Sequence, residues 1–352
     1  MKRKDVARLA IGAGVAVAST AGAVVAGRVA ARRHRSRFDP EAGEPFGLLP
    51  PDDLGPVVSF DGTPLAVRAA GPKDAPALVF SHGFTLDMTT WYYQWQTYAD
   101  RYRCILFDHR AHGRSGAPAD GDYSVQALGR DLQAVLGAAA PEGPVVLVGH
   151  SMGGMAIVSL AEQHPDLFRE RVVGVALVDT AVSDLVREFF GASGVSLERV
   201  LRPLLQRITP EGAERIRSGL TRWGSDIPYL IALATNFGPD ASPAQVEYVT
   251  QISSAASVEV WTQMLRSLVE MDLGDALEHV VCPALVIVGD RDLITPKTSA
   301  LALRDRLPDA RAVVISRAGH VAMMERHRVF NGLFGEFLEE TLPAAAPRRR
   351  RA

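Results

Sequence analysis

Residues 145–154 read VVLVGHSMGG. The first four are aliphatic and typical of a buried strand, and a helical pattern begins directly after Ser151. Between strand and helix stands a G-x-S-x-G pentapeptide that runs from Gly149 to Gly153. A serine on such a sharp turn has a strained backbone and needs small residues two positions away on either side. The stretch therefore predicts a Ser151 hydroxyl that stands above the edge of a sheet.

Apolar runs of strand length recur on both sides of this stretch. They are residues 77–81, 104–107, 145–148, 172–178, 284–288 and 312–315. Because the runs are continuous and do not alternate, they indicate strands buried on both faces of a parallel sheet. Helical patterns that supply the crossovers lie at 90–102, 124–140, 152–164 and 298–307. The sequence thus predicts an α/β fold with a mostly parallel central sheet flanked by helices.

The sheet is expected to open with an antiparallel edge. Two short strand patterns, 57–60 and 65–69, flank the dipeptide Asp61-Gly62. Such a dipeptide favours a tight hairpin turn.

Composition is that of a globular protein with a sizeable core: 352 residues, 47% hydrophobic, 22% charged and a formal net charge of −2. Basic residues are concentrated at the two ends, and the overall balance gives no indication of nucleic acid as a partner. Cys104 and Cys282 each begin an apolar run, so buried free thiols fit better than a disulfide. No Cys/His spacing resembles a metal site.

Residues 181–279 interrupt the alternation of strands and helices. This interval carries only amphipathic helix patterns, such as 197–208 and 246–271, and is interpreted as a helical cap inserted between core segments 56–180 and 280–342. Ten apolar side chains either line a substrate pocket or form the core of the cap: Phe189, Phe190, Leu204, Leu205, Trp223, Tyr229, Leu230, Phe237, Trp261 and Met264. Residues 38–55 are rich in Pro, Gly and acids and are expected to be a linker, and residues 343–352 form a basic tail.

The N-terminal segment, residues 1–37, contains an uncharged stretch from Leu9 to Gly27. As a helix its 19 residues would span roughly 28 Å, close to a bilayer core. Basic residues on both flanks are attracted to anionic lipid. We expect membrane association through residues 9–27, with the cytoplasmic side favoured. A cleaved export signal, suggested by Ala21-Gly22-Ala23, and a soluble tail are the alternatives.

A serine hydroxyl needs a base before it can attack, and His320 is the candidate. It follows the last apolar run near the C-terminus. His327 lies seven residues further on, among Glu325, Arg326 and Arg328, which is typical of a solvated surface. His34, in the basic N-terminal segment, is also expected to be solvated.

Three aspartates compete to orient the base. Asp290 and Asp292 follow the penultimate strand, and Asp179 follows the strand before it. We choose Asp292, since Asp290 ends the strand directly and is suited to fix the loop through backbone bonds. The resulting order Ser, Asp, His is the one expected when the serine lies on this kind of turn.

A tetrahedral intermediate needs NH donors aimed at its oxyanion. Met152, directly after the nucleophile, is expected to supply one donor and Phe84 the other. His82 is expected to prop the loop that carries Phe84 by hydrogen bonding.

Taken together, five pieces of the sequence resemble the α/β-hydrolase superfamily. They are His82-Gly83-Phe84, the turn at 108–115, the pentapeptide at 149–153, the acid loop at 289–296 and Gly319-His320. The resemblance covers residues 56–342, and the D-x-R-x-x-G-x-S turn is similar to that of capped carboxylesterases, monoacylglycerol lipases, cofactor-free haloperoxidases and carbon-carbon bond hydrolases. Epoxide hydrolases and haloalkane dehalogenases place an aspartate at the elbow, so Ser151 argues against both.

The resemblance implies a serine hydrolase that cleaves small-molecule carboxylic esters through an acyl-enzyme, with Ser151, His320 and Asp292 as its triad. It implies no cofactor and no metal. The apolar cap and the N-terminal stretch favour lipid-like or other apolar acyl esters. A perhydrolase or acyltransferase with the same triad is an alternative, as is a non-catalytic binding protein, which would be expected to lack a triad member.

Overall fold

The computed structural model describes residues 21–183 and 226–342, together with residues 209, 211, 212, 214 and 215. Within this part of the chain one sheet forms from eight strands: β1 (Asp52–Val58), β2 (Pro64–Ala70), β3 (Ala77–Ser81), β4 (Arg103–Phe107), β5 (Val145–His150), β6 (Val172–Val178), β7 (Ala284–Gly289) and β8 (Ala310–Ile315). Their spatial order is β1-β2-β4-β3-β5-β6-β7-β8. The β1/β2 and β2/β4 pairs are antiparallel and the other pairs are parallel. The predicted α/β fold is confirmed.

Helices cover both faces of the sheet. The α-helices are α1 (Ala21–Arg35), α2 (Tyr92–Tyr98), α3 (Val125–Ala139), α4 (Met152–Gln163), α5 (Pro165–Glu170), α6 (Asp226–Asn236), α7 (Pro243–Ala255), α8 (Leu265–Glu270), α9 (Lys297–Arg306), α10 (Ala322–Glu325) and α11 (His327–Thr341). A 3₁₀ turn at Met88–Trp91 precedes α2, a π-turn at Val260–Met264 precedes α8, and a second 3₁₀ turn spans Asp275–His279. Cys104 and Cys282 are buried free thiols, as predicted.

Strand register brings the chemistry-bearing residues to one edge of the sheet. Ser81, the last residue of β3, is in register with Phe107 of β4 and with Gly149 of β5. His150 is in register with Val178, the last residue of β6. Since these strands are parallel, the residues that follow each of them emerge at the same carboxyl edge.

The connection between β1 and β2 is longer than the predicted tight turn. The Ser59 NH donates to the Thr63 carbonyl at 2.9 Å, so five residues separate the paired strands. The Asp61 carboxylate accepts from the Thr63 NH at 3.0 Å, and this local bond competes with a two-residue turn.

The predicted cap is described in part. Residues 226–279 carry α6, α7 and α8, and the pattern at 246–271 is not one continuous helix because α7 ends at Ala255. Five of the apolar candidates lie outside the described residues: Phe189, Phe190, Leu204, Leu205 and Trp223. Tyr229, Phe237 and Met264 are buried, whereas Trp261 is 40% exposed. The cap as a separate unit stays a prediction.

Residues 27–50, here called the N-terminal arm, pack against α6 and α7. The His34 ring lies 2.6 Å from the Tyr229 hydroxyl (Nδ1 to Oη), and Arg35 forms an ion pair with Glu247 at 2.9 Å. Asp39 accepts from the Ala244 NH at 2.7 Å, at the start of α7. The expectation that His34 is solvated was wrong, because a partner 195 residues away in sequence buries it.

The stretch expected to be a linker is also packed. The Tyr93 and Tyr92 hydroxyls donate to the carboxylates of Glu41 and Glu44 at 2.7 and 2.8 Å. Phe46 stacks on the Tyr248 ring at a centroid distance of 5.3 Å. The predicted boundary at residue 55 falls inside β1, which begins at Asp52.

Most of the uncharged stretch Leu9–Gly27 precedes the described residues, and only residues 21–27 appear, as the first part of α1. None of the helices in the described ranges has the length and apolar character to cross a bilayer. The predicted membrane segment therefore falls mainly on residues 9–20, outside the described chain, as does the basic tail at 343–352.

Candidate active site

The G-x-S-x-G pentapeptide forms a strained strand-to-helix turn between β5 and α4. Ser151 has φ 50° and ψ −116°, a backbone conformation costly for a residue other than glycine. A Cβ at Gly149 would lie 2.5 Å from the Gly154 nitrogen, and one at Gly153 would lie 2.1 Å from the Ser81 carbonyl oxygen. Both glycines are therefore required by close packing.

The structure brings Ser151, His320 and Asp292 together in one chain of hydrogen bonds. The Ser151 Oγ lies 3.0 Å from His320 Nε2, and His320 Nδ1 lies 2.8 Å from Asp292 Oδ2. All three residues are buried. In this arrangement the imidazole is able to accept the serine proton on one side while its other NH donates to a carboxylate.

The Asp292 carboxylate is fixed by its own loop. Its Oδ1 accepts from the main-chain NH groups of Ile294 and Thr295 at 2.8 and 3.0 Å. The Thr295 hydroxyl donates to Oδ2 at 2.8 Å. The acid therefore presents the oxygen that faces His320 without freedom to rotate away.

The two alternative aspartates hold the surrounding loops. Asp290 accepts from the Arg317 NH at 2.6 Å. Asp179 is fully buried and accepts from the NH groups of Gly289 and Ala322, at 2.9 and 3.0 Å. Burial, followed by the nearby Asp292 charge, raises the pKa of Asp179. Asp179 thus links the acid loop to the residues that follow His320.

The electrostatics of His320 result from opposing effects. Burial lowers the pKa of its imidazole, but the charge and hydrogen bond of Asp292, with the charge of Asp179, outweigh burial and raise the pKa above its ordinary value of 6.5. His150 packs its ring 5.0 Å from that of His320 and donates from Nε2 to the His320 carbonyl at 2.6 Å. Burial lowers the pKa of His150, so this neighbour is neutral.

His82 holds the loop after β3 in place through two hydrogen bonds. Its Nδ1 donates to the Gly83 carbonyl at 2.8 Å, and its Nε2 accepts from the His109 NH at 2.9 Å. Burial lowers the pKa of His82 to about 4, which keeps the ring neutral. Because C=O and N–H are antiparallel in a trans peptide, fixing the Gly83 carbonyl also fixes the direction of the Phe84 NH.

The two predicted oxyanion donors, Met152 and Phe84, both follow strands that end at the carboxyl edge. Ser81 and Gly149, which precede them, are paired in register. Among the described residues, neither NH is the donor of a main-chain hydrogen bond in the turns and loops. They stay the predicted oxyanion donors.

The turn at 108–115 is a structural brace beside this loop. The Asp108 carboxylate accepts from the NH groups of Met88 and Arg114, each at 2.7 Å. Arg110 is fully buried and paired with Asp131, whose Oδ2 lies 2.7 Å from its Nε. Burial raises the pKa of Asp108 to about 7.

Two residues near the C-terminus differ from the solvated surface that their charged neighbours indicate. His327 is half-buried and stacks on Tyr93 with a ring-centroid distance of 3.7 Å. Burial lowers the pKa of His327. Glu325 is also half-buried and accepts from the Gly319 NH at 2.7 Å, next to the candidate base. A carboxylate five residues after His320 carries no sequence signal for this contact.

An aromatic pair stands beside the oxyanion loop. The Phe84 and Trp261 rings meet edge-on at 5.3 Å, and the Thr85 and Ser253 hydroxyl oxygens lie 3.4 Å apart. Trp261 lies within the π-turn before α8, a feature frequent at functional sites. Residues of the predicted cap therefore contact the loop of a candidate oxyanion donor.

Comparison with known proteins agrees with this geometry. A family model described as alpha/beta hydrolase fold matches residues 76–327, more than half of the chain. The chain belongs to the α/β-hydrolase fold family. The matched range includes Ser151, Asp292 and His320.

Several of the proteins that this chain resembles are hydrolases. The chain is 28% identical over 290 residues to 3-oxoadipate enol-lactonase 2 of Acinetobacter baylyi, covering 78% of this chain and 96% of the relative. It is 26% identical over 263 residues to the pimeloyl-[acyl-carrier protein] methyl ester esterase of Aeromonas hydrophila, covering 75% and 95%. The structure of a thermophilic esterase from Thermogutta terrifontis superposes with a TM-score of 0.66 and 25% identity, covering 82% and 99%. These relatives support a hydrolase.

We predict that Gly153→Ala lowers the free energy of unfolding by about 1–3 kcal/mol, because the added methyl group overlaps the main chain of β3. Gly137→Ala is the matched control, since a Cβ there meets nothing within 4 Å and alanine raises helix stability by up to about 1 kcal/mol. Urea unfolding followed by circular dichroism measures both. Equal effects of the two substitutions would contradict the packing argument.

Proposed function

We propose that the protein is a serine esterase in which the Ser151 Oγ attacks the carbonyl carbon of an ester. His320 accepts the serine proton and passes it to the leaving alcohol, and water then hydrolyses the acyl-enzyme by the same route in reverse. Asp292 holds the imidazole in the required tautomer. The hydrogen-bond chain of 3.0 Å and 2.8 Å through His320 carries this proposal.

The NH groups of Met152 and Phe84 are proposed to bind the oxyanion. The buried His82 contact supports a fixed direction for the Phe84 donor, since it holds the Gly83 carbonyl of the same peptide unit. Donors that are fixed before the reaction stabilise developing charge without reorganisation, and each is worth about 3 kcal/mol.

The proposed substrates are small-molecule esters with an apolar, lipid-like acyl group. The exposed Trp261 ring against Phe84 supports an apolar wall beside the oxyanion site. The enol-lactonase and methyl ester esterase relatives act on carboxylic esters, and the proposal extends that chemistry to this chain. Membrane association, which would bring the enzyme to lipid substrates, rests on the composition of residues 9–27 alone.

We expect Ser151→Ala to lower p-nitrophenyl ester hydrolysis by about 10⁴-fold or more, since the nucleophile is removed. Labelling by a fluorophosphonate probe should be lost as well. Ser159→Ala is the matched control, because Ser159 is a buried serine of α4, the helix that follows Ser151, and bonds Gln163. If the Ser151→Ala variant retained activity, the proposed function would be contradicted.

The acyl preference is tested by comparing p-nitrophenyl acetate with p-nitrophenyl octanoate. We expect the octanoate to have the higher kcat/KM, and Trp261→Ala to reduce that preference by about 10-fold, because apolar contact with the acyl chain is lost. Phe60→Ala provides the control, since Phe60 is 46% exposed in the β1–β2 loop. An unchanged preference in Trp261→Ala would exclude this ring from the acyl site.

The pH profile of kcat/KM should rise through the pKa of His320, because only the neutral imidazole accepts a proton. We expect this limb to lie above 6.5, where the Asp292 contact raises the pKa. Asp292→Asn removes that contact, burial then lowers the pKa, and the limb should move to lower pH along with a large loss of rate. A limb that stays in place in the variant would exclude Asp292 as the partner of the base.

A further inference from the structure

The chain between α6 and α7 lies directly on the loop that carries His320. We call residues 236–240 the cap turn and residues 316–322 the base loop. The Asn236 carbonyl accepts from the Val321 NH at 3.2 Å. A Cβ at Gly319 would lie 2.4 Å from the Asn236 oxygen, and one at Gly238 would lie 2.2 Å from the Arg317 carbonyl oxygen. The two main chains are therefore packed without room for side chains between them.

A single carboxylate joins the two segments. Glu325, at the end of α10, accepts from the Gly238 NH at 2.9 and 2.8 Å through its two oxygens. The same side chain accepts from the Gly319 NH at 2.7 Å. Charge-assisted hydrogen bonds of this kind are roughly twice as strong as neutral ones. The Gly319 NH belongs to the peptide between Ala318 and Gly319, so this bond holds the main chain one residue before His320.

At the surface, an ion pair also joins the cap turn to the base loop. The Asp240 carboxylate accepts two bonds from the Arg317 guanidinium, each 2.5 Å, and one from Arg326 at 2.7 Å. The hydrogen bonds from Arg317, followed by that from Arg326, lower the pKa of Asp240. Exposed ion pairs contribute little to stability, so the half-buried Glu325 is the stronger of the two links.

We propose that Glu325 is a positioning residue for the general base, and that it couples the cap turn to the placement of the His320 imidazole. The inference rests on the proposed function and adds a residue outside the triad. Glu325 bonds the main chain of both the cap turn and the base loop. It does not bond the imidazole nitrogens of His320, which face Ser151 and Asp292.

The expected cost follows from the geometry of proton transfer. If the Gly319 peptide is released, His320 Nε2 is no longer held 3.0 Å from the Ser151 Oγ. A misplacement of about 1 Å costs about 10²-fold in rate even when the substitution is remote from the reacting atoms. Substrate binding depends on other contacts, so kcat should fall more than KM rises.

The experiment compares Glu325→Ala, Glu325→Gln and the control Glu336→Gln in the full-length protein, with Ser151→Ala as reference. Glutamine keeps the size of the side chain but only one acceptor oxygen, and Glu336 is an exposed acid on α11. Three quantities are measured: kcat and KM for p-nitrophenyl esters, the thermal midpoint, and the pKa of His320 by NMR titration. The titratable groups that face His320, namely Asp292, Asp179 and His150, stay unchanged in every variant.

We expect Glu325→Ala to lower kcat by about 10- to 100-fold, with the pKa of His320 moving down toward 6.5, and Glu325→Gln to show a smaller loss. Wild-type kcat and an unshifted His320 titration in both variants would overturn the inference. So would a loss of activity that only tracks the thermal midpoint. Activity that survives Ser151→Ala would instead reject the proposed function, and the titration of His320 would still decide the role of Glu325.

Discussion

The close approach of α4 to β3 is the constraint on which the candidate site depends. Gly153 lies so near the Ser81 carbonyl that only a residue without a side chain fits, and this contact keeps Ser151 in its strained conformation. The same approach brings the start of α4 beside the loop after β3. One packing contact therefore fixes both the nucleophile and the relative position of the two proposed oxyanion donors.

Hydrogen bonds from buried side chains hold most of the remaining loops in place. Burial keeps His82 and His150 neutral, and each bonds a main-chain carbonyl that lies next to a proposed functional atom. Asp179 bonds two NH groups, and burial raises its pKa. The two neutral histidines therefore brace these loops without adding a charge beside the imidazole, whereas the charge of Asp179 acts on the imidazole together with that of Asp292.

Sequence patterns predicted the strands, and they selected the three residues that meet in the hydrogen-bond chain through His320, because these depend on local signals. Continuous apolar runs indicate buried strands, and a glycine-flanked serine indicates the turn. No local pattern predicts contacts between segments that are far apart in the sequence. The burial of His34 depends on Tyr229, and the role of Glu325 depends on Gly238, partners that only the folded chain brings close. A charged neighbourhood in sequence was misleading for His327, since its ring stacks on Tyr93.

The packed structure extends beyond the range that the family model matches, because it includes the N-terminal arm. A polypeptide beginning at Asp52 would contain the whole sheet together with Ser151, Asp292 and His320. It would nevertheless leave the Tyr93 hydroxyl without Glu41, the first turn of α7 without Asp39, and the Tyr248 ring without Phe46. The matched range 76–327 thus marks the family fold, whereas the packed structure also includes the N-terminal arm.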